Sequence, residues 1–77
     1  MKELILTIVR AMVDHPDSVS VSEIKGDQMT VFELHVVQED RGKVIGKQGQ
    51  NAKAIRTILN AASSREHRRS FLEIIDR

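Results

Sequence analysis

Hydrophobic positions change period several times along this chain, and each change marks an element. Leu4, Ile5, Ile8, Val9, Met12 and Val13 recur at steps of three and four, which predicts an amphipathic helix over residues 3–14. It should stop at His15, because Pro16 disfavours α geometry in the residue before it. Val19 and Val21 then alternate with Ser18, Ser20 and Ser22 as in a half-exposed strand, and Lys25-Gly26-Asp27-Gln28 has turn chemistry. Residues 29–37 are β-rich: Phe32, Leu34 and Val36 share one face, while Val31, Glu33, His35 and Val37 share the other. Only the first face is cleanly apolar, so one face should meet helices and the other water.

After Gln38 the period returns to that of a helix. Asp40 to Ile45 can form a short one, with Glu39 and Asp40 near its positive end, and Gly46 ends it. A longer helix is expected from Gln50 to about Ser63, with Ala52, Ile55, Ile58, Leu59 and Ala62 as its buried stripe. Ser63 to Arg69 reads as a basic loop, and Phe71 to Ile75 as a closing strand with Leu72 and Ile74 towards the core. The order is α-β-β-α-α-β. The first two strands should form an antiparallel hairpin, and the last should lie parallel to the second through a helical crossover. The expectation is therefore an α+β fold, a three-stranded mixed sheet with three helices on one face.

Size narrows the function. A chain of 77 residues is expected to form a single domain over its whole length, and such a domain buries only about 60% of its unfolded surface. Little interior remains for a sequestered small-molecule substrate, so function should lie on the surface. The absence of cysteine removes disulfides, thiolate nucleophiles and Cys-based zinc sites. The N-terminus lacks a long apolar run with a cleavage site, which makes the cytoplasm the expected location and a membrane partner unexpected.

The net charge of +1 hides an asymmetry. Residues 1–38 carry three basic against six acidic side chains, a balance of −3, whereas residues 39–77 carry nine against five, a balance of +4. A polyanion would dock on the second half. Within it, Gly42-Lys43-Val44-Ile45-Gly46-Lys47-Gln48-Gly49-Gln50-Asn51-Ala52-Lys53-Ala54-Ile55 is the informative stretch. Gly46 and Gly49, three apart between two helices, permit a tight turn with positive φ and leave no Cβ between a ligand and the backbone. The amides that open the following helix attract phosphate, and Lys47 adds a charge. By itself a Gly-x-x-Gly pair often marks a helix-to-helix turn and nothing more.

Val44-Ile45-Gly46-Lys47-Gln48-Gly49, followed by a helix carrying Ile55, resembles the signature of the KH domain, a single-stranded RNA-binding module. The element order is that of the type II, bacterial form, and the likeness spans essentially the whole chain. One position departs from the pattern, since Gln38 stands where a proline often precedes the acidic residue of the helix. The resemblance implies that Gly46 to Gly49, with Lys43, Gln50 and Lys53 around it, holds the backbone of about four nucleotides. Val44, Ile45 and Ile55 would wall an apolar groove for the bases while also serving the core. Arg65, Arg68 and Arg69 would close over the RNA. The resemblance further implies an RNA chaperone or post-transcriptional regulator that acts as a homodimer or with a larger KH-containing protein, and that influences cell-wall synthesis and cell length.

Other chemistry fits poorly. Gly42 and Gly46 enclose only three residues and Lys47 is followed by Gln48, so the turn is not a Walker loop. His15, His35 and His67 fall in separate elements without ligand spacing, so neither a metal nor any cofactor is expected, and no enzyme activity. With no Trp or Tyr and only Phe32 and Phe71, a platform of stacked aromatics is largely unavailable. The competing reading is a protein-interaction module that assembles through an outward apolar face and in which the glycine turn is inert.

Overall fold

The computed structural model describes residues 1–65 and 67–76. Its elements are α1 (Lys2–Arg10), β1 (Ser20–Lys25), β2 (Met29–Val36), α2 (Gln38–Ile45), α3 (Gln50–Ser64) and β3 (Arg69–Asp76). Short 3-10 turns at Pro16–Ser18 and Lys47–Gly49 precede β1 and α3. The sheet runs β1-β2-β3, with β2 antiparallel to β1 and parallel to β3. This is the α+β, type II KH arrangement, with the three helices packed on one face of a mixed sheet.

The register explains the core. Val21 pairs with Leu34, and Leu34 with Ile74, so the inward residues of three strands form rows across the sheet. Onto these rows α1 sets Ile5 and Val9, α2 sets Val44, and α3 sets Ile55 and Leu59. The expected faces of β2 hold: Phe32, Leu34 and Val36 are buried, while Val31, Glu33 and His35 on the other side are half-buried.

Several boundaries differ from the sequence expectation, each for a local reason. The first helix ends at Arg10 instead of residue 14. The Met12 amide tightens onto Val9 at 2.9 Å, and the next amides leave the helix to serve Asp40. The second helix starts at Gln38, two residues before Asp40, with Val37 in extended geometry as its cap. The buried stripe of α3 runs Ala52, Ile55, Leu59 and Ser63, whereas Ile58 is 43% exposed and Ala62 only half-buried. Ser63 can be buried because its hydroxyl bonds that of Ser70, whose own Oγ reaches the Leu59 carbonyl at 3.3 Å. The last strand begins at Arg69, where the Arg69 amide donates to the Gln28 carbonyl at 3.0 Å.

Asp40 is the one charged residue wholly inside the fold among the described residues. Its Oδ1 accepts the Asp14 amide at 3.2 Å, and its Oδ2 accepts the His15 amide at 2.9 Å and contacts His15 Nδ1 at 3.0 Å. Burial by itself raises the carboxyl pKa, but the two amide bonds and the imidazole outweigh it and hold Asp40 below the usual carboxylate range. The carboxylate thus fastens the segment after α1 to the helix that leads into the glycine turn. Lys43, one turn on, pairs with Asp14 and reinforces the same junction.

Backbone geometry sets the turn. Gly46 has φ 77° and ψ 174°, a region open essentially to glycine alone, and Gly49 is left-handed at φ 74° and ψ 12°. A Cβ on Gly46 would also sit 2.6 Å from the Asn51 side chain, whereas a Cβ on Gly49 would meet nothing within 4 Å. Asn51 occupies that space because its Nδ2 donates to the Lys43 carbonyl at 3.0 Å, tying the start of α3 to the end of α2.

Asp40→Ala leaves two amides without their acceptor and should lower the melting temperature by several degrees at pH 7. A carboxyl with a depressed pKa stabilises the fold above its unfolded value, about 3.9, and that contribution is lost as pH falls through the folded value. The gap between wild type and variant should therefore shrink at acid pH; a gap that stays constant from pH 7 to 3 contradicts the role given to Asp40. In urea unfolding, Gly46→Ala should cost about 1–3 kcal/mol from the backbone alone, plus the clash with Asn51. Gly49→Ala should cost about 1–2 kcal/mol. A Gly46→Ala loss that is as large in an Asn51→Ala background as in wild type would show that the Asn51 contact does not matter.

Candidate nucleic-acid interface

The turn projects Lys47 and Gln48 into solvent, with Gly46 and Gly49 half-buried at its ends. Gln48 is itself left-handed, at φ 58° and ψ 26°. A non-glycine residue in that conformation costs about 1–3 kcal/mol, so the surrounding bonds impose it. The Gln50 amide returns to the Lys47 carbonyl, and no side chain caps the N-terminus of α3. The positive end of that 15-residue helix therefore lies without a side-chain cap directly after the exposed Lys47 and Gln48.

Beside the turn, between the helix pair and the free edge of β3, lies a groove of about 280 Å³. Ala52 and Leu72 form its floor, both almost fully buried. Ile45 and Gly49 line it from the α2 and turn side, Ile74 and Glu73 from β3, and Phe71, 54% exposed, stands at its lip. Two arginines reach across it to β3. Arg56 Nη2 donates to the Leu72 carbonyl at 3.3 Å, and Arg41 Nε lies 3.7 Å from an Asp76 carboxylate oxygen. The surface is half apolar and half hydrogen-bonding, with cations along the helical side.

The residues singled out from the sequence are distributed unevenly around this groove. Ile45 and Gly49 line it, and Gly46, Lys47 and Gln48 form the turn at its end. Val44 and Ile55 are buried in the core behind the wall and present almost no surface. Gln50 and Lys53 are exposed but line a separate concavity with Ala54, Thr57 and Ile58. Lys43 is paired with Asp14, a bond that raises its pKa above the ordinary lysine value despite partial desolvation.

The three downstream arginines do not gather at the turn. Arg65 follows the far end of α3, about 24 Å from Gly49 at 1.5 Å per residue. Arg68 spends its guanidinium on the protein: it donates to the Gly26 carbonyl at 2.6 Å, to the Asp27 carbonyl at 3.5 Å, and to Thr30 Oγ1 at 3.2 and 3.3 Å. It braces the β1–β2 turn. Arg69 is the first residue of β3, exposed and level with Met29. Sequence reasoning missed Arg41, Arg56 and Asn51. The available signal was that Arg56 lies one helical turn after Ala52, on the flank of the buried stripe, and Arg41 four residues before Ile45.

The family description "KhpA/KhpB, KH domain" matches residues 2–74 of the chain. A protein named RNA-binding protein KhpA from Clostridium acetobutylicum is 55% identical over 75 residues, covering 97% of this chain and all of that protein. Proteins of the same name from Listeria monocytogenes and Borreliella burgdorferi are each 47% identical, over 99% and 96% of this chain and over 100% and 90% of their own lengths. No solved structure matches the chain. On the strength of a family match that runs almost end to end, and of a fold and a glycine turn that agree with it, the chain belongs to the KhpA/KhpB KH-domain family.

Proposed function

We propose that this chain is a non-enzymatic, single-stranded RNA-binding protein that grips about four nucleotides between the Gly46–Gly49 turn and the β3 edge. The observation that carries the reading is the juxtaposition of uncapped helix amides and Lys47 with a groove of mixed apolar and cationic lining. Phosphates would lie on the turn, where the two glycines admit close approach. Bases would enter the groove over Ala52 and Leu72, between Ile45 and Ile74. Phe71 offers one stacking partner at the lip, and base–aromatic stacking contributes about 1–3 kcal/mol. The name carried by the relatives, RNA-binding protein KhpA, supports the same substrate.

The proposal extends to an RNA chaperone or post-transcriptional regulator in the cytoplasm, acting in cell-wall homeostasis and cell-length control with a second copy or a larger KhpB-type protein. A grip on four nucleotides has little affinity alone, and joining two such sites raises avidity by roughly 10² to 10⁴ where geometry allows. Met1, Leu4, Ile58, Ala61 and Ala62 supply an exposed apolar face between α1 and α3 that a second copy would cover. The same face favours the competing reading, an assembly module with an inert turn. RNA crosslinking mapped to residues separates the two.

Lys47→Asp with Gln48→Asp keeps both glycines and faces the phosphates with two carboxylates. It should abolish RNA binding by electrophoretic mobility shift while leaving the circular dichroism spectrum and melting temperature close to wild type. Near-wild-type affinity in that folded variant refutes the site. For self-association, sedimentation should show a dimer that Ile58→Glu converts to a folded monomer. A wild-type monomer at high concentration removes the second copy from the proposal.

A further inference from the structure

Of the cations around the groove, Arg56 differs in how it is held. It leaves α3 one turn after Ala52, on the groove floor, and its Nη2 is anchored on the Leu72 carbonyl at the open edge of β3. Among the described residues that carbonyl is its only protein acceptor, so four of its five N–H donors remain unspent beside the cavity. Arg68 has the opposite arrangement, with its donors consumed by Gly26, Asp27 and Thr30. Arg41 is paired with Asp76. Arg56 is thus the cation anchored across the groove by one donor while most of its donors stay available.

We propose that Arg56 selects guanine in this groove, an inference that rests on RNA entering it as described above. A guanidinium only donates, and its fork matches two acceptors side by side. Guanine offers such a pair in O6 and N7, whereas adenine replaces O6 with an amino group that would face Arg56 donor against donor. Uracil has no adjacent pair of acceptors. Cytosine has one, O2 and N3, but Glu73 lines the same groove and separates the two bases. A carboxylate accepts two donors at once, and guanine presents N1–H and its amino group together, where cytosine presents its amino group alone. Guanine is the base that can satisfy the arginine fork on one edge and the carboxylate on the next. A base that leaves these donors unpaired in a half-enclosed groove pays their desolvation without a return bond.

The experiment measures binding of the full chain to uridine octamers carrying one central guanine, adenine, cytosine or 7-deazaguanine, by fluorescence anisotropy at fixed salt. Wild type should favour guanine over adenine by roughly tenfold. The 7-deaza base, which lacks N7, should lose most of that preference. Arg56→Lys keeps the charge and removes the fork, so the guanine preference should fall to about twofold or less; Arg56→Ala should lose the preference as well. Arg56 is exposed, so both variants should fold. A guanine preference that survives in both variants, or that wild type never shows, overturns the assignment. If wild type shows no preference yet loses binding on Lys47→Asp with Gln48→Asp, only this inference fails. Should wild type bind none of the octamers, the RNA-binding reading falls with it.

Discussion

At Gly46 the backbone takes a path that a side chain would block twice, once through its own φ and ψ and once through collision with Asn51. The consequences reach well beyond the turn. Because α2 ends there, α3 can start at Gln50, four residues later, with its apolar stripe rolled back onto the sheet. Because Asn51 fills the space left by the missing Cβ and bonds the Lys43 carbonyl, the two helices are locked at their junction. The groove lies between that junction and β3.

The other end of α2 is fixed by a buried charge. Asp40 exchanges hydration for two amides and an imidazole from the segment after α1, an arrangement that compensates a charge which would otherwise be very costly inside the fold. A helix of eight residues, too short to be stable alone, is held by a carboxylate at one end and a glycine turn at the other. The turn therefore sits on a fixed frame, and Lys47, Gln48, Arg56 and Phe71 around it are exposed side chains free of duty in the core.

Much of this was legible in the sequence, for reasons that also explain what was not. Strand faces were readable because a period of two is unambiguous: Phe32, Leu34 and Val36 could only point together. The glycine turn was readable because positive φ has a residue signature. Helical spacing, by contrast, fixes the existence of a stripe but not its angular centre, so Ile58 was expected inside and Ser63 was not. Charged residues carry no sign of their partners. Asp40 reads as a helix-start acid and proves to be a buried anchor; Arg68 reads as part of an RNA-facing loop and braces the β1–β2 turn; Arg56 carries no mark in the sequence and spans the groove. The end of α1 at Arg10 was hidden for the same reason, since the amides that leave the helix do so to reach a carboxylate 25 residues away.

We propose that a single groove, bounded by the Gly46–Gly49 turn and the β3 edge, receives the RNA. Amide chemical-shift mapping of the isotope-labelled chain during titration with a short single-stranded RNA tests it most directly. The largest shifts are expected at residues 45–52, at Arg56 and along 71–74, with the outer face of α3 and the Arg65–Arg69 region little affected. Shifts concentrated at Ile58, Ala61 and Arg65, with the turn unchanged, would contradict it.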